Sequence, residues 1–90
     1  MTKLVLECYG IDINRTEYFE CYQRGMELTE IFSKVFGYDE RSLVLAIIDA
    51  KDSGFSDVAA RYLGALHSIL IREHNKRKGI KAVKDEQVSL

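Results

Sequence analysis

The sequence predicts a mostly α-helical fold, a three-helix antiparallel bundle with a short N-terminal β-strand. Apolar residues recur at helical spacing over most of the chain, no proline interrupts them, and Gly10, Gly37, Gly54 and Gly79 fall between the periodic stretches. Proline would remove an amide donor and clash with the preceding turn, so its absence suits uninterrupted helices. Ninety residues, 47% hydrophobic and 30% charged with a net charge of -1, suit one globular domain rather than a disordered chain.

The opening stretch, residues 3–9, reads as the strand. Leu4, Leu6 and Cys8 alternate with Val5, Glu7 and Tyr9 before Gly10. A lone strand leaves its backbone groups unpaired, so it needs a partner. The choices are a C-terminal strand at Ile80-Lys81-Ala82-Val83 or the same strand of another subunit, with a short helix as the competing assignment.

The first helix is expected over about 15–36. Asn14 with Glu17 three positions on makes a capping box, and Gly37 is a natural stop. Tyr18, Cys21, Gly25, Leu28, Phe32 and Val35 form one continuous inward stripe. Phe19, Tyr22 and Met26 then fall on a second face, because successive residues turn by about 100°.

A second helix is expected over about 40–52, capped by Asp39 and ended by Ser53-Gly54. Its run Leu43-Val44-Leu45-Ala46-Ile47-Ile48 covers all sides, which makes it the expected centre of the bundle. The third helix follows over about 57–78, starting at Ser56 and ending at Gly79. Ala59, Tyr62, Leu63, Leu66, Ile69 and Leu70 face inward, and Ala60 and Gly64 offer a smooth patch for close approach. Residues 85–90 read as a flexible tail.

Catalytic and metal-binding patterns are not evident. His67 and His74 are seven apart rather than four, and neither has a glutamate three residues before it. The glycines are scattered, so no phosphate loop forms, and neither cysteine has a base near it in sequence. The glutamates of the first helix, Glu17, Glu20, Glu27 and Glu30, alternate with Arg15, Gln23 and Arg24 as a solvated face does. The expectation is a protein without enzyme activity, metal or cofactor. Cys8 and Cys21 are expected to be buried free thiols in a reducing compartment, with a disulfide as the lesser alternative. The longest apolar run has six residues, far short of a membrane span of about twenty, and the N-terminus has no signal-peptide pattern. A cytoplasmic location without membrane association is expected.

Three binding functions fit what remains. The leading expectation is a small protein-interaction module, an inhibitor, adaptor or accessory regulator that forms homo-oligomers, with Phe19, Tyr22 and Met26 as anchors. The second is nucleic-acid binding through Arg72, Lys76, Arg77, Lys78, Lys81 and Lys84. That segment gives residues 71–90 a charge of +3 against -4 for residues 1–70. The third is capture of a nucleotide or other small anion by Arg24, Arg41 or Arg61. The helix, short turn and Asp39-Glu40-Arg41-Ser42-Leu43-Val44-Leu45-Ala46 resemble the helical hairpin of phage-encoded proteins that sequester cyclic nucleotide signals. The resemblance covers about a third of the chain and implies small-ligand binding without assigning any site residue.

Overall fold

The computed structural model describes the backbone of residues 6–89 and the side-chain surroundings of residues 6–76. Within them every regular element is helical: α1 (Thr16–Glu27), a π-helical turn (Ile31–Val35), α2 (Glu40–Asp52) and α3 (Ser56–Ser89). These four helical elements contain no β-strand among the described residues, which corrects the expected strand at 3–9.

The reason lies in where the backbone groups of that leading segment go. Tyr9 and Gly10 both take positive φ, 53° and 80°, and the Ile11 amide donates to the Cys8 carbonyl at 2.9 Å. A turn with two left-handed central residues sends the chain back on itself. The flanking carbonyls are taken by side chains rather than by a second strand. Lys51 Nζ donates to the Tyr9 carbonyl at 2.7 Å, and His67 Nε2 meets the Glu7 carbonyl at 2.6 Å. Residues 3–5 of the expected strand lie outside the described residues. Its candidate partner, residues 80–83, belongs to α3.

α1 starts one residue later than the capping box implies. Arg15 occupies the cap position without a side-chain hydrogen bond, while Asp12 accepts from the Asn14 amide at 3.0 Å in a separate turn. The helix then ends at Glu27 rather than near residue 36. Thr29, fully buried, donates its hydroxyl to the carbonyls of Met26 (2.7 Å) and Gly25 (3.2 Å). Such back-bonding competes with the regular helical ladder and bends it. Beyond it the bonds lengthen to the i→i+5 pattern, with the Phe36 amide on the Ile31 carbonyl at 3.3 Å. An added residue in the turn rotates everything after it, so Phe32 remains buried while Val35 leaves the stripe and is 71% exposed.

α2 carries its cap and stop locally. Asp39 Oδ1 accepts from the Ser42 amide at 2.8 Å, and this bond holds the carboxyl below its ordinary value. At the other end Gly54 takes φ 85°, the Phe55 amide reaches the Ala50 carbonyl at 2.8 Å, and the Gly54 amide reaches Lys51 at 3.0 Å. That pair of bonds is a Schellman motif, which needs a residue without a Cβ penalty at its left-handed position.

α3, not α2, is the hub: both α1 and α2 pack on it. It supplies Ala59, Ala60, Leu63, Ala65 and Leu66 to the core, joined by Leu43, Ile47 and Ala50 from α2, with Ile11 and Phe32. Leu45 and Ile48 of α2 face outward, so its apolar run is buried on one side only. α1 lies backbone to backbone on α3. A Cβ on Gly25 would collide with the Arg61 carbonyl, and one on Gly64 with the Tyr22 carbonyl. These two contacts run antiparallel, Gly25 facing Arg61 and the earlier Tyr22 facing the later Gly64, and beyond the end of α1 Glu30 reaches Arg72 at 3.6 Å. α3 also continues through Gly79. A single interior glycine costs a helix about 1 kcal/mol relative to alanine, which good helix-formers on both sides can outweigh.

Candidate functional site

Two places concentrate unusual chemistry. The first is an enclosed polar node at His67, which is only 1% exposed. Its Nε2 faces the Glu7 carbonyl at 2.6 Å and its Nδ1 faces the Tyr22 hydroxyl at 2.8 Å. A carbonyl can only accept, so Nε2 carries the proton; Nδ1 is then the acceptor and Tyr22 donates. The two partners select one tautomer of a neutral imidazole. Burial pushes the His67 pKa below 6.5, partly offset by the Glu7 carbonyl. The Tyr22 hydroxyl is pushed up by burial and by nearby Cys8. The Tyr22 ring meets the imidazole edge-on at 5.4 Å between centroids and stacks on Phe19 at 6.2 Å.

Chemically, this arrangement occupies both imidazole nitrogens in structural bonds. It ties the leading segment to α1 and α3 at one point. A free lone pair for a substrate proton or a metal is not on offer in this state. No group of three His, Cys, Asp or Glu side chains gathers in metal-binding geometry among the described residues. Cys8 and Cys21 are free thiols and half-buried rather than fully buried.

The second place is the π-turn. Its outer side exposes Ile31 (45%), Val35 (71%) and Phe36 (59%). Behind them stands a ring cluster centred on Phe32, with centroids 6.1 Å to Phe36, 6.0 Å to Tyr38 and 5.5 Å to Tyr62. The rings are packed against one another at tilted and stacked angles, which is the favourable geometry for aromatic pairs. Phe36 is therefore an exposed side chain on a rigid support. The left-handed Gly37 (φ 70°) and the Tyr38 amide on the Phe32 carbonyl (2.8 Å) turn the chain directly from this ledge into α2.

The anchors expected from the sequence are divided. Phe19 is exposed, Met26 is half-buried, and Tyr22 is half-buried with its hydroxyl bound to His67. Arg24, Arg41 and Arg61 are exposed on three different helices. Arg72 pairs with Glu30, which also binds Lys34 at 3.1 Å, and Lys76 is exposed. The side chains of Arg77, Lys78, Lys81 and Lys84 lie outside the described residues. Among those described, no helix is long and apolar enough to cross a membrane.

Sequence reasoning missed both places for identifiable reasons. His67 stands between Leu66 and Ser68 with no local partner, and its bonds come from residues 45 and 60 positions away. The ledge was hidden in the stripe, because Phe32 and Val35 keep helical spacing in sequence that the π-turn breaks in space. A threonine inside the helical run, three residues ahead of Phe32, was the one available signal.

Comparison with protein-family models, with curated proteins and with solved structures finds no match. The resemblance of the α2 region to nucleotide-sequestering phage proteins gains no relative from it.

Proposed function

We propose that this chain is a small protein-binding module without catalytic activity, which engages a protein partner through the ledge of Ile31, Val35 and Phe36. The observation that carries the reading is the exposure of Val35 and Phe36, the latter packed on the buried Phe32 and the half-buried Tyr38. Large apolar side chains held outward by rigid neighbours lose little conformational freedom on binding, which is what makes aromatic anchors effective at interfaces. The π-turn supports the same reading, since such turns cost helical regularity and concentrate where function requires a displaced side chain. Leu45, Ile48 and Phe55 add apolar surface on α2 and its exit. Phe19 remains a candidate contact, whereas Tyr22 acts inward.

Binding rather than catalysis is supported by the His67 node, whose nitrogens are both committed. Action as an inhibitor or adaptor is part of the proposal, as is self-association.

The test is the double substitution Val35→Ser with Phe36→Ser. Sedimentation across a wide concentration range reads self-association, and capture from the native lysate reads other partners. Loss of either interaction with an unchanged circular-dichroism melt supports the ledge. Retention of every interaction by the double variant overturns it.

A further inference from the structure

We propose that α3 beyond Arg72 is a docking arm for a second copy of this chain, and that it lies on the outward face of that copy's α2. α3 has 34 residues, which at about 1.5 Å each match the 51 Å of the molecule's longest extent. The helix therefore runs the whole length of the protein. Its core residues end at Leu66, with Ile69 and Leu70 packed against them, and Arg72 meets Glu30. α2, with 13 residues, covers about 20 Å back from its short turn into α3, so it accompanies α3 only to about residue 70. From there α3 continues to Ser89. A continuous helix does not fold back, so the arm can meet an α2 face only on another copy.

The two surfaces match in apolar pattern and in charge. On α2, Arg41, Leu45, Ile48 and Asp52 recur at spacings of 4, 3 and 4, which places them on one side, and Leu45 and Ile48 are exposed there. Asp49 stands beside Ile48, and the exposed Phe55 follows at the exit. Among the described residues neither Asp49 nor Asp52 enters an ion pair, while Lys51 is held by the Tyr9 carbonyl. Arg41 lies at the far end, next to Glu40. The C-terminal half of α2 thus offers an apolar pair beside two carboxylates. On the arm, Lys76, Ile80, Val83 and Gln87 fall in one row of the helical register, with Arg77, Lys81 and Lys84 in the next. Asp85 falls on the opposite side. That row is an apolar pair beside three cations. Residues 71–90 carry +3 and residues 1–70 carry -4, so the arm of one copy meets opposite charge on the body of another. Each copy has both an arm and an α2 face, and two such contacts related by a two-fold axis close a dimer. This gives the self-association in the proposed function a surface apart from the ledge.

Charge reversal on the full chain tests the contact. One variant carries Lys81→Glu with Lys84→Glu, the other Asp49→Lys with Asp52→Lys. Asp49 and Asp52 are exposed, and lysine near the C-terminal end of α2 suits the helix dipole. Sedimentation should show a dimer for the native chain and a dissociation constant raised at least about tenfold in either variant alone, where like charges face each other. Mixed in equal amounts, the two variants should associate again. The acidic arm of one then meets the basic α2 of the other, and the second contact keeps its native charges. Val35→Ser with Phe36→Ser should leave the dimer intact, which separates a failure of this contact from a failure of the ledge. A native chain that stays monomeric at every concentration overturns the proposal, whether or not its arm binds an oligonucleotide instead. Unaltered association of either charge variant overturns it too, as does no recovery on mixing. Should a charge variant fail to fold, Leu45→Ser with Ile48→Ser reads the α2 face by itself: loss of the dimer supports the contact, and retention removes it.

Discussion

The Tyr22 hydroxyl donates to Nδ1 of His67 at 2.8 Å across the contact between α1 and α3. Because the opposite nitrogen is committed to the Glu7 carbonyl, that hydroxyl is the group that satisfies a buried acceptor from the α1 side. A neutral hydrogen bond contributes about 1 kcal/mol net, and an orphaned buried partner costs more than the bond contributes. Tyr22→Phe keeps the ring beside the imidazole and removes only the donor. It should lower the free energy of unfolding by about 1–2 kcal/mol in urea denaturation at pH 7.5. An unchanged midpoint would show that the hydroxyl is not needed.

The glycines at the α1–α3 crossing should be the least replaceable residues of their type. Gly25→Ala or Gly64→Ala places a methyl group against a backbone carbonyl, which cannot swing aside as a side chain can. Overpacking against rigid backbone should cost toward the upper end of the usual range, about 3 kcal/mol. Gly37→Ala has open space around its Cβ and faces only the strain of φ 70°, for about 1 kcal/mol. Thermal melts of the three variants should separate the crossing from the turn; similar losses would contradict the close approach.

Acid should weaken the whole fold through His67. Its folded pKa lies below the unfolded value of 6.5, so the unfolded chain takes up the proton first as pH falls. The stabilising contribution is fully present above about 6.5 and declines from there down to the folded pKa. Denaturant titrations between pH 8 and pH 5 should show this loss, and His67→Gln should flatten its contribution. A native stability that rises through this range on acidification would reverse the assigned sign.

At the ledge, energetic and functional roles should part. Phe32→Ala removes the centre of the ring cluster and should cost about 3–5 kcal/mol. Val35→Ser and Phe36→Ser act on exposed positions, where substitutions usually stay within about 0.5 kcal/mol. Urea midpoints measured for all three give the comparison. A large loss at Val35 would place it in the core, where its spacing in sequence alone would have it.

Local chemistry made much of the helical fold legible. Asp39 before an apolar run and Ser53-Gly54 after it mark both ends of α2, because a cap and a left-handed turn are settled within a few residues. The patch of Ala60 and Gly64 likewise announces close approach, although nothing local names Tyr22 and Gly25 as the partners. The candidate site was far less visible. His67, Tyr22 and Glu7 are distant in sequence, and Phe36 gains its meaning only from Phe32, Tyr38 and Tyr62 behind it.

Taken by itself, the order of residues determined that most of the chain is helical and that it turns at Gly10, Gly37 and Gly54, though not at Gly79, since hydrophobic period and turn chemistry act over three to five neighbours. Tertiary structure alone decided that Glu7 and Tyr9 offer their carbonyls to side chains instead of a strand, that α3 rather than α2 carries the core, and that Val35 faces outward. Each of those outcomes is a competition between groups far apart along the chain. Burial and backbone pairing settle such contests only after the helices meet.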